Sequence, residues 1–542
     1  MTNNLLRVRD LCIDAPASKG PIRIAQGIDF DLHRGEVLAL IGESGAGKST
    51  IGIATLGAGR GGAYIAQGSI LLEGEDIMAK GAARLRSIRG LRVAYVAQSA
   101  ASAFNPAHRL IDQVTETIIS RGIMDRPAAR SRAIELFRKL GLPSPETFGE
   151  KFPHQASGGQ LQRAMTAMAI CAGPELIVFD EPTTALDVTT QIEVLLSIRQ
   201  AIRDEGMAAI YISHDLALVA QIADQIMVLR HGQIVETGPT RDIIERPQQD
   251  YTRRLIAVQS VALPTRSSQP VMLEISGINA SYGRVPVLHN INLSVAKGRT
   301  LALVGESGSG KSTLGKVVAG LLPPDSGRVT LVDRPLSSSL SGRSRQDLRD
   351  IQLVHQNPDL ALNPRRSVGD SIGQAVTMFR GLTNKDCSRE VAHLLEQVNL
   401  DPALATRLPH ALSGGQKQRV CIARALAANP RLIICDEVTS ALDPLVAEGV
   451  QNLLRQLQED EGVSYLFITH DFGAVRAMAD EVAVMRQGSV IAYGPTGQVL
   501  NAPQDPYTQK LISSVPELRV GWLDDIVAAR TAPQNARTEK MT

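Results

Sequence analysis

The chain has 542 residues, of which 44% are hydrophobic and 21% charged, and a net charge of +2. That length holds two to four domains with cores of their own, and so slight a charge excess argues against the strongly basic footprint of a nucleic-acid binder. No run of eighteen apolar residues occurs, and residues 1–8 lack the basic and apolar pattern of a secretory signal, so neither a membrane span nor an export leader is expected. The five cysteines are scattered without metal spacing, which fits a reducing compartment.

In chain order, residues 22–32 alternate apolar and polar side chains, which predicts antiparallel strands with one wet face. The apolar run 37–41 then feeds Gly42, Glu43, Ser44, Gly45, Ala46, Gly47, Lys48, Ser49 and Thr50, a match to the phosphate-loop pattern G-x-x-x-x-G-K-[ST] between a buried strand and a helix. Glycines there let backbone N–H groups curl around phosphate oxygens, and the following helix adds a positive end. Lys48 is expected on the β- and γ-phosphates of ATP, and the Ser49 hydroxyl on Mg²⁺.

Residues 112–142 lean helical and suggest an inserted helical subdomain. Ser157, Gly158, Gly159 and Gln160 then precede a long helical pattern. They serve either as anion donors at a helix start or as an ordinary N-cap. Four apolar residues, 176–179, end in Asp180 and Glu181, as a buried parallel strand does when it delivers acids to the ligand-binding edge of an α/β sheet. Asp180 is placed for a Mg²⁺-bound water and Glu181 for the attacking water. A further apolar strand, 208–213, delivers His214, which is either structural or a holder of a γ-phosphate oxygen.

After a Pro- and Ser-containing linker at 259–271, the whole series is written again. The second phosphate loop contains Gly305, Ser307, Gly308, Ser309, Gly310, Lys311, Ser312 and Thr313, and residues 370–398 mirror the helical stretch. Ser413, Gly414, Gly415 and Gln416 precede the second long helix, and Asp436, Glu437 and His470 close the series. Asp180 to Asp436 and His214 to His470 are each 256 residues, so the later half of each unit is in gapless register. The expected domains are 1–258 and 272–518, with 519–542 as a loosely ordered polar tail.

This set of motifs resembles the nucleotide-binding domain of ABC transporters in both halves and covers nearly the whole chain. The resemblance implies an α/β fold of two tandem ABC-type P-loop NTPase domains, each with a RecA-like core, an antiparallel β subdomain and a helical subdomain. It assigns Gln98 and Gln356 to the Q-loop, near metal and attacking water, and adds the D-loop residues Ala185, Leu186, Asp187, Ala441, Leu442 and Asp443. Its ATP lies between the loop of one domain and the Ser-Gly-Gly-Gln signature of the other, here an intramolecular pairing in which bound nucleotide favours the closed state. Phe104-Asn105-Pro106, Leu362-Asn363-Pro364 and the segments 246–253 and 502–509, with Tyr251 and Tyr507, look like those of dipeptide, oligopeptide, glutathione and nickel importers. That likeness implies two membrane permease subunits, an extracytoplasmic solute-binding protein, no nucleic acid, and a peripheral place on the cytoplasmic face of the inner membrane.

Three departures bear on function. Tyr282 supplies an adenine-stacking aromatic in the second unit, whereas 15–19 supplies none in the first, a difference of about 0.5–1.5 kcal/mol or two- to tenfold in ATP affinity. Ala156 replaces the usual Leu, and Val438 stands where the first unit has Pro182. With both glutamates present, two hydrolytic sites of unequal affinity are expected. The rival reading, a soluble tandem ABC ATPase acting on ribosomes or nucleic acid, would carry a long charged linker or zinc cysteines, which this sequence lacks.

Overall fold

A computed structural model of the chain describes residues 4–17, 20–79, 81–184, 186–257, 269–440 and 442–531. The expected linker, apart from 269–271, and the D-loop alanines Ala185 and Ala441 lie outside the described residues. By its contacts the chain divides into two units. Unit 1 is Met1–Leu186, Thr190–Ala257 and Pro516 onward, and unit 2 is Asp187–Thr189 with Val258–Val515.

In unit 1 the strands are β1 (Asn4–Ala15), β2 (Ile22–His33), β3 (Val37–Gly42), β4 (Tyr64–Leu72), β5 (Glu75–Asp76), β6 (Val93–Val96), β7 (Leu176–Asp180), β8 (Ala208–Ile212), β9 (Gln225–Arg230) and β10 (Gln233–Pro239). An antiparallel sheet runs β2-β1-β4-β5. Strand β2 turns Ile28, Phe30 and Leu32 inward and leaves the residues between them more exposed, the one-wet-face pattern predicted from its alternation. The second sheet runs β10-β9-β3-β8-β7-β6, parallel from β9 to β6 with β10 as an antiparallel edge. Every residue of β3, β7 and β8 is buried, which is why these strands read as continuous apolar runs. Because they are parallel, the residues that follow them emerge at one edge.

The helical stretch read from sequence as 112–142 is two helices, Leu110–Ser120 and Arg126–Lys139. The break falls at Asp125, whose carboxylate accepts the Ala128 N–H at 2.9 Å, with Pro127 in the first turn.

Unit 2 repeats the plan with β11 (Val271–Tyr282), β12 (Val285–Ala296), β13 (Thr300–Val304), β14 (Ser326–Leu331), β15 (Arg334–Pro335), β16 (Ile351–Val354), β17 (Leu432–Asp436), β18 (Ser464–Ile468), β19 (Glu481–Arg486) and β20 (Ser489–Pro495). Its sheets run β12-β11-β14-β15 and β16-β17-β18-β13-β19-β20. The fold is thus α/β with two duplicated domains, each having a mostly parallel core sheet, an antiparallel sheet and a helical insertion.

The C-terminal end departs from expectation. Of the stretch read as polar tail, 532–542 lies outside the described residues, and the described part includes a helix, Trp522–Thr531, in a segment that groups with unit 1 from Pro516. Trp522 and Leu523 are buried, and the Gln221 amide of unit 1 donates to the carbonyls of Glu517 and Arg519 and accepts the Leu523 N–H. The buried apolar pair Trp522-Leu523, at the start of a stretch that turns polar only toward its end, is the physical reason.

Candidate functional site

In each unit the phosphate-loop residues leave the end of a fully buried strand, β3 or β13. Gly42 and Gly305 have φ of 148° and 146°, and a Cβ on them would fall 2.0 Å from the Leu229 carbonyl oxygen and 2.2 Å from that of Met485. Only glycine fits there. Gly47 and Gly310 take left-handed backbone, φ 88° and 103°, ahead of the helices that begin at Lys48 and Lys311.

Lys48 and Lys311 are both buried. Lys48 Nζ donates to the carbonyls of Gly42 and Glu43 at 2.7 and 3.0 Å, and Lys311 Nζ to those of Gly305 and Glu306 at 2.8 Å each and to Ser309 Oγ at 3.3 Å. Burial pulls the Lys311 ammonium below its ordinary value, against the opposing pull of the Glu437 carboxylate. Ala46 is buried within the first loop, as Ser309 is at the same place in the second. Ser44, Gly45, Ser307 and Gly308 lie at the more open turn of each loop, and Thr50 and Thr313 follow in the first helical turn.

The residues after the parallel strands converge on these loops. Ser49 Oγ donates to Asp180 Oδ1 at 2.7 Å, and Ser312 Oγ to Asp436 Oδ1 at 2.8 Å. Burial raises the Asp436 carboxyl. Glu181 and Glu437 sit in left-handed backbone, φ 49° and 51°, each N–H held by the last residue of the neighbouring strand, Ile212 O or Ile468 O, at 2.9 Å. A side-chain-bearing residue in that region costs about 1–3 kcal/mol and persists where its surroundings fix it.

A glutamine and a histidine hold each glutamate, and Thr184 Oγ1 adds a further donor to Glu181 Oε2 at 3.1 Å. Gln98 Nε2 donates to Glu181 Oε2 at 2.9 Å and Gln356 Nε2 to Glu437 Oε2 at 2.6 Å, so both glutamines meet the glutamate rather than the Ser–Asp pair. His214 Nδ1 lies 3.3 Å from Glu181 Oε1, and His470 Nδ1 3.4 Å from Glu437 Oε1. Burial alone pushes each carboxyl up, but its histidine pulls it back below the ordinary value. Each imidazole is likewise pulled down by burial and raised on balance by its glutamate. The pair therefore favours carboxylate with imidazolium.

Ser157 and Gln160 form a capping box at the exposed start of helix Gly158–Ile170, as Ser413 and Gln416 do for Gly414–Leu426. The N-cap reading of these residues therefore holds for their side chains. Gly159 and Gly415 are buried, where a Cβ would strike Thr190 Cγ2 at 2.2 Å and Val446 Cγ1 at 2.4 Å. Gly158 and Gly414 are exposed. Asp187 accepts from Thr189 Oγ1 at 2.7 Å, and Asp443 caps helix Pro444–Glu461. Tyr282, at the end of β11, lies with its ring centroid 5.8 Å from Lys316 Nζ.

A magnesium ion keeps most of its waters and takes few protein oxygens beside phosphate. One hydroxyl and one carboxylate already in contact, Ser49 with Asp180 and Ser312 with Asp436, fit that demand.

Three features went unread in the sequence. Tyr95 donates to Asp180 Oδ2 at 2.7 Å, with Arg60 at 3.5 Å from the same oxygen. The tyrosine hydroxyls of 251 and 507 reach the loop amides of Glu43 and Glu306. The left-handed glutamates are the third. The tyrosines did carry a signal, since Tyr251 and Tyr507 are 256 residues apart, in register with the acids.

The model for the ABC transporter family matches residues 25–184 and again 288–440, and that for the oligopeptide/dipeptide transporter C-terminal region matches 235–277 and 491–540. The glutathione import ATP-binding protein GsiA of Escherichia coli (strain K12) is 36% identical over 95% of this chain and 90% of its own. The peptidoglycan transport ATP-binding protein YejF of Agrobacterium fabrum (strain C58) is 37% identical over 95% of this chain and 96% of its own. A solved structure of cbiO1 from Clostridium perfringens, part of an ABC transporter complex, is 30% identical over 48% of this chain and all of its own, with a TM-score of 0.41.

Proposed function

The chain belongs to the ABC transporter family of ATP-binding, ATP-hydrolysing proteins, and from that premise we propose that it energises import of glutathione, peptides or related small solutes through a separate pair of membrane permeases. The observation that carries this reading is the oligopeptide/dipeptide transporter C-terminal region, matched after each of the two ATPase domains. A ribosomal or nucleic-acid role gains nothing from that match. No helix among the described residues is long and apolar enough to cross a membrane, so coupling to one requires partners.

In this reading Lys48 and Lys311 exchange their loop carbonyls for the β- and γ-phosphate oxygens of ATP. Ser49 with Asp180, and Ser312 with Asp436, would hold Mg²⁺, which neutralises charge developing on the phosphates. Glu181 and Glu437 orient and deprotonate the attacking water. Gln98 with His214, and Gln356 with His470, keep those carboxylates in place and ionised. Asp187, Asp443 and the two signature segments, Ser157 to Gln160 and Ser413 to Gln416, complete the nucleotide contacts, and Tyr282 stacks on adenine at one site only.

The test is reconstitution with co-encoded permeases and candidate binding proteins loaded with glutathione, di- and oligopeptides or nickel. Stimulation of ATP hydrolysis by one loaded protein is expected. Hydrolysis indifferent to every binding protein, with no recruitment to permease-containing membranes, overturns the importer reading.

A further inference from the structure

The segment after the core sheet of each unit ends at its nucleotide loop. Tyr251 lies in helix Asp250–Ala257 and Tyr507 in helix Pro506–Ser513, both 7% exposed. The Tyr251 hydroxyl accepts the Glu43 N–H at 3.3 Å, and the Tyr507 hydroxyl accepts the Glu306 N–H at 3.2 Å. The guanidinium of Arg230 lies 4.9 Å from the Tyr251 ring centroid, and that of Arg486 4.8 Å from the Tyr507 ring. These arginines end β9 and β19, the strands beside β3 and β13. Each directly follows the residue, Leu229 or Met485, whose carbonyl crowds Gly42 or Gly305.

We infer that Tyr251 and Tyr507 are positioning residues for the nucleotide loops, holding the peptide that the loop lysine must release when it takes up phosphate. Glu43 and Glu306 are each gripped from two sides, N–H by tyrosine and C=O by lysine. A lysine that moves to phosphate gives up its carbonyls; the Ala46 and Ser309 N–H groups stay on the Glu43 and Glu306 carbonyls at 3.0 and 3.2 Å, and the tyrosine is the side chain that still holds the peptide, by its N–H. Packing alone does not require the hydroxyl, since phenylalanine fills the same volume and stacks under the same arginine. Burial pushes the Tyr507 phenol up to about 12, so it stays a neutral hydroxyl at working pH. The arrangement occurs twice in one chain, the tyrosines and the arginines each 256 residues apart and the loop glutamates 263 apart, with all three residue types retained.

This inference rests on the nucleotide reading of the loops, and the experiment separates the two. Binding of a fluorescent ATP analogue to the full chain is measured for Tyr507→Phe in a Lys48→Ala background and for Tyr251→Phe in a Lys311→Ala background. One hydroxyl–amide bond predicts a rise in Kd on the order of two- to tenfold in each, with the ATP-induced gain in melting temperature shrinking in step. In otherwise unaltered chains the phenylalanine variants raise KM for ATP by a similar factor with kcat within about twofold, a split that a merely structural role would not produce. A Kd unchanged in both phenylalanine variants, while the double lysine variant loses nucleotide, overturns the inference and leaves the nucleotide reading standing. Wild-type binding by the double lysine variant overturns both.

Discussion

Glu181 and Glu437 show how far residue types alone carried. Their identity was legible because each follows a buried apolar run and an aspartate, at a spacing repeated after 256 residues. Their left-handed backbone was not, because φ there is imposed by a long-range bond from the adjacent strand. Both carry the same pair of supports, so both are expected to hydrolyse: Glu181→Gln and Glu437→Gln each remove roughly half of turnover or more, and the double variant about 10²–10⁴-fold, with nucleotide binding retained. A single variant with undiminished steady-state turnover refutes this. The aspartates beside them differ more. Asp180 Oδ2 takes Tyr95 and Arg60, whereas the second unit has Leu353 at the position of Tyr95, three residues before its Q-loop glutamine. Donors on that oxygen compete with a metal-bound water, so Tyr95→Leu is expected to tighten divalent-ion binding at the first site. Titration of Mn²⁺ by electron paramagnetic resonance with ATP present, in a Lys311→Ala background, reads this directly. Weaker binding would mean that the phenol orients the carboxylate instead.

The core strands were legible as elements because burial on both faces leaves an unbroken apolar run, and β2 because burial on one face leaves alternation. Helix boundaries were less so. The stretch 112–142 has helical character throughout, and its break depends on Asp125 capping the second helix, a local signal easily lost among charged neighbours. That second helix is tied to helix Val188–Glu205 by ions: Arg132 Nη2 lies 2.6 Å from Glu205 Oε2 and Lys139 Nζ 3.0 Å from Glu205 Oε1. In unit 2 the corresponding glutamate, Glu461, accepts an amide hydrogen bond from Gln397 at 3.1 Å. Burial pushes the Glu205 carboxyl up, but Arg132 and Lys139 pull it below its ordinary value. A depressed carboxyl contributes stability above its unfolded pKa, near 4.3, and loses it as pH falls through the lower folded value. Solvent screening at the partly exposed partners holds the contribution to about 1 kcal/mol. Glu205→Gln is therefore expected to lower stability by about that much at pH 7 and progressively less below about pH 4. Urea melts at the two pH values check it, and an equal loss at both would show that packing, not charge, is responsible.

Over the whole chain, duplication was the most legible property, because two copies of one motif series in register identify each other. Least legible was the end, where a mostly polar composition argued for a tail. The chain's single tryptophan, Trp522, overrules it: with Leu523 it is buried in unit 1, while Gln221 turns both ends of its amide to the incoming backbone and Arg199 lies 2.8 Å from Asp524. Gln221 is itself buried, and removing the segment uncovers apolar surface and exchanges three of its amide hydrogen bonds for water, leaving the one to the Ala217 carbonyl. Burying two large side chains contributes about 1.5–3 kcal/mol each, and hydrogen bonds exchanged for water add little beyond that. Ending the chain at Val515 should then destabilise the first unit by several kcal/mol, on the order of 3–6. Denaturant melts of the shortened chain against the full one read that loss, and in the full chain intrinsic fluorescence reports on the segment itself, because no second tryptophan obscures it. Emission of the native chain should be blue-shifted and poorly quenched by acrylamide, and Gln221→Ala should move it to the red with readier quenching at temperatures where the rest of the far-UV signal is unchanged. Native-like emission and quenching in that variant would mean that the apolar pair alone secures the segment, and the amide would then be a satisfied bystander rather than the fastening.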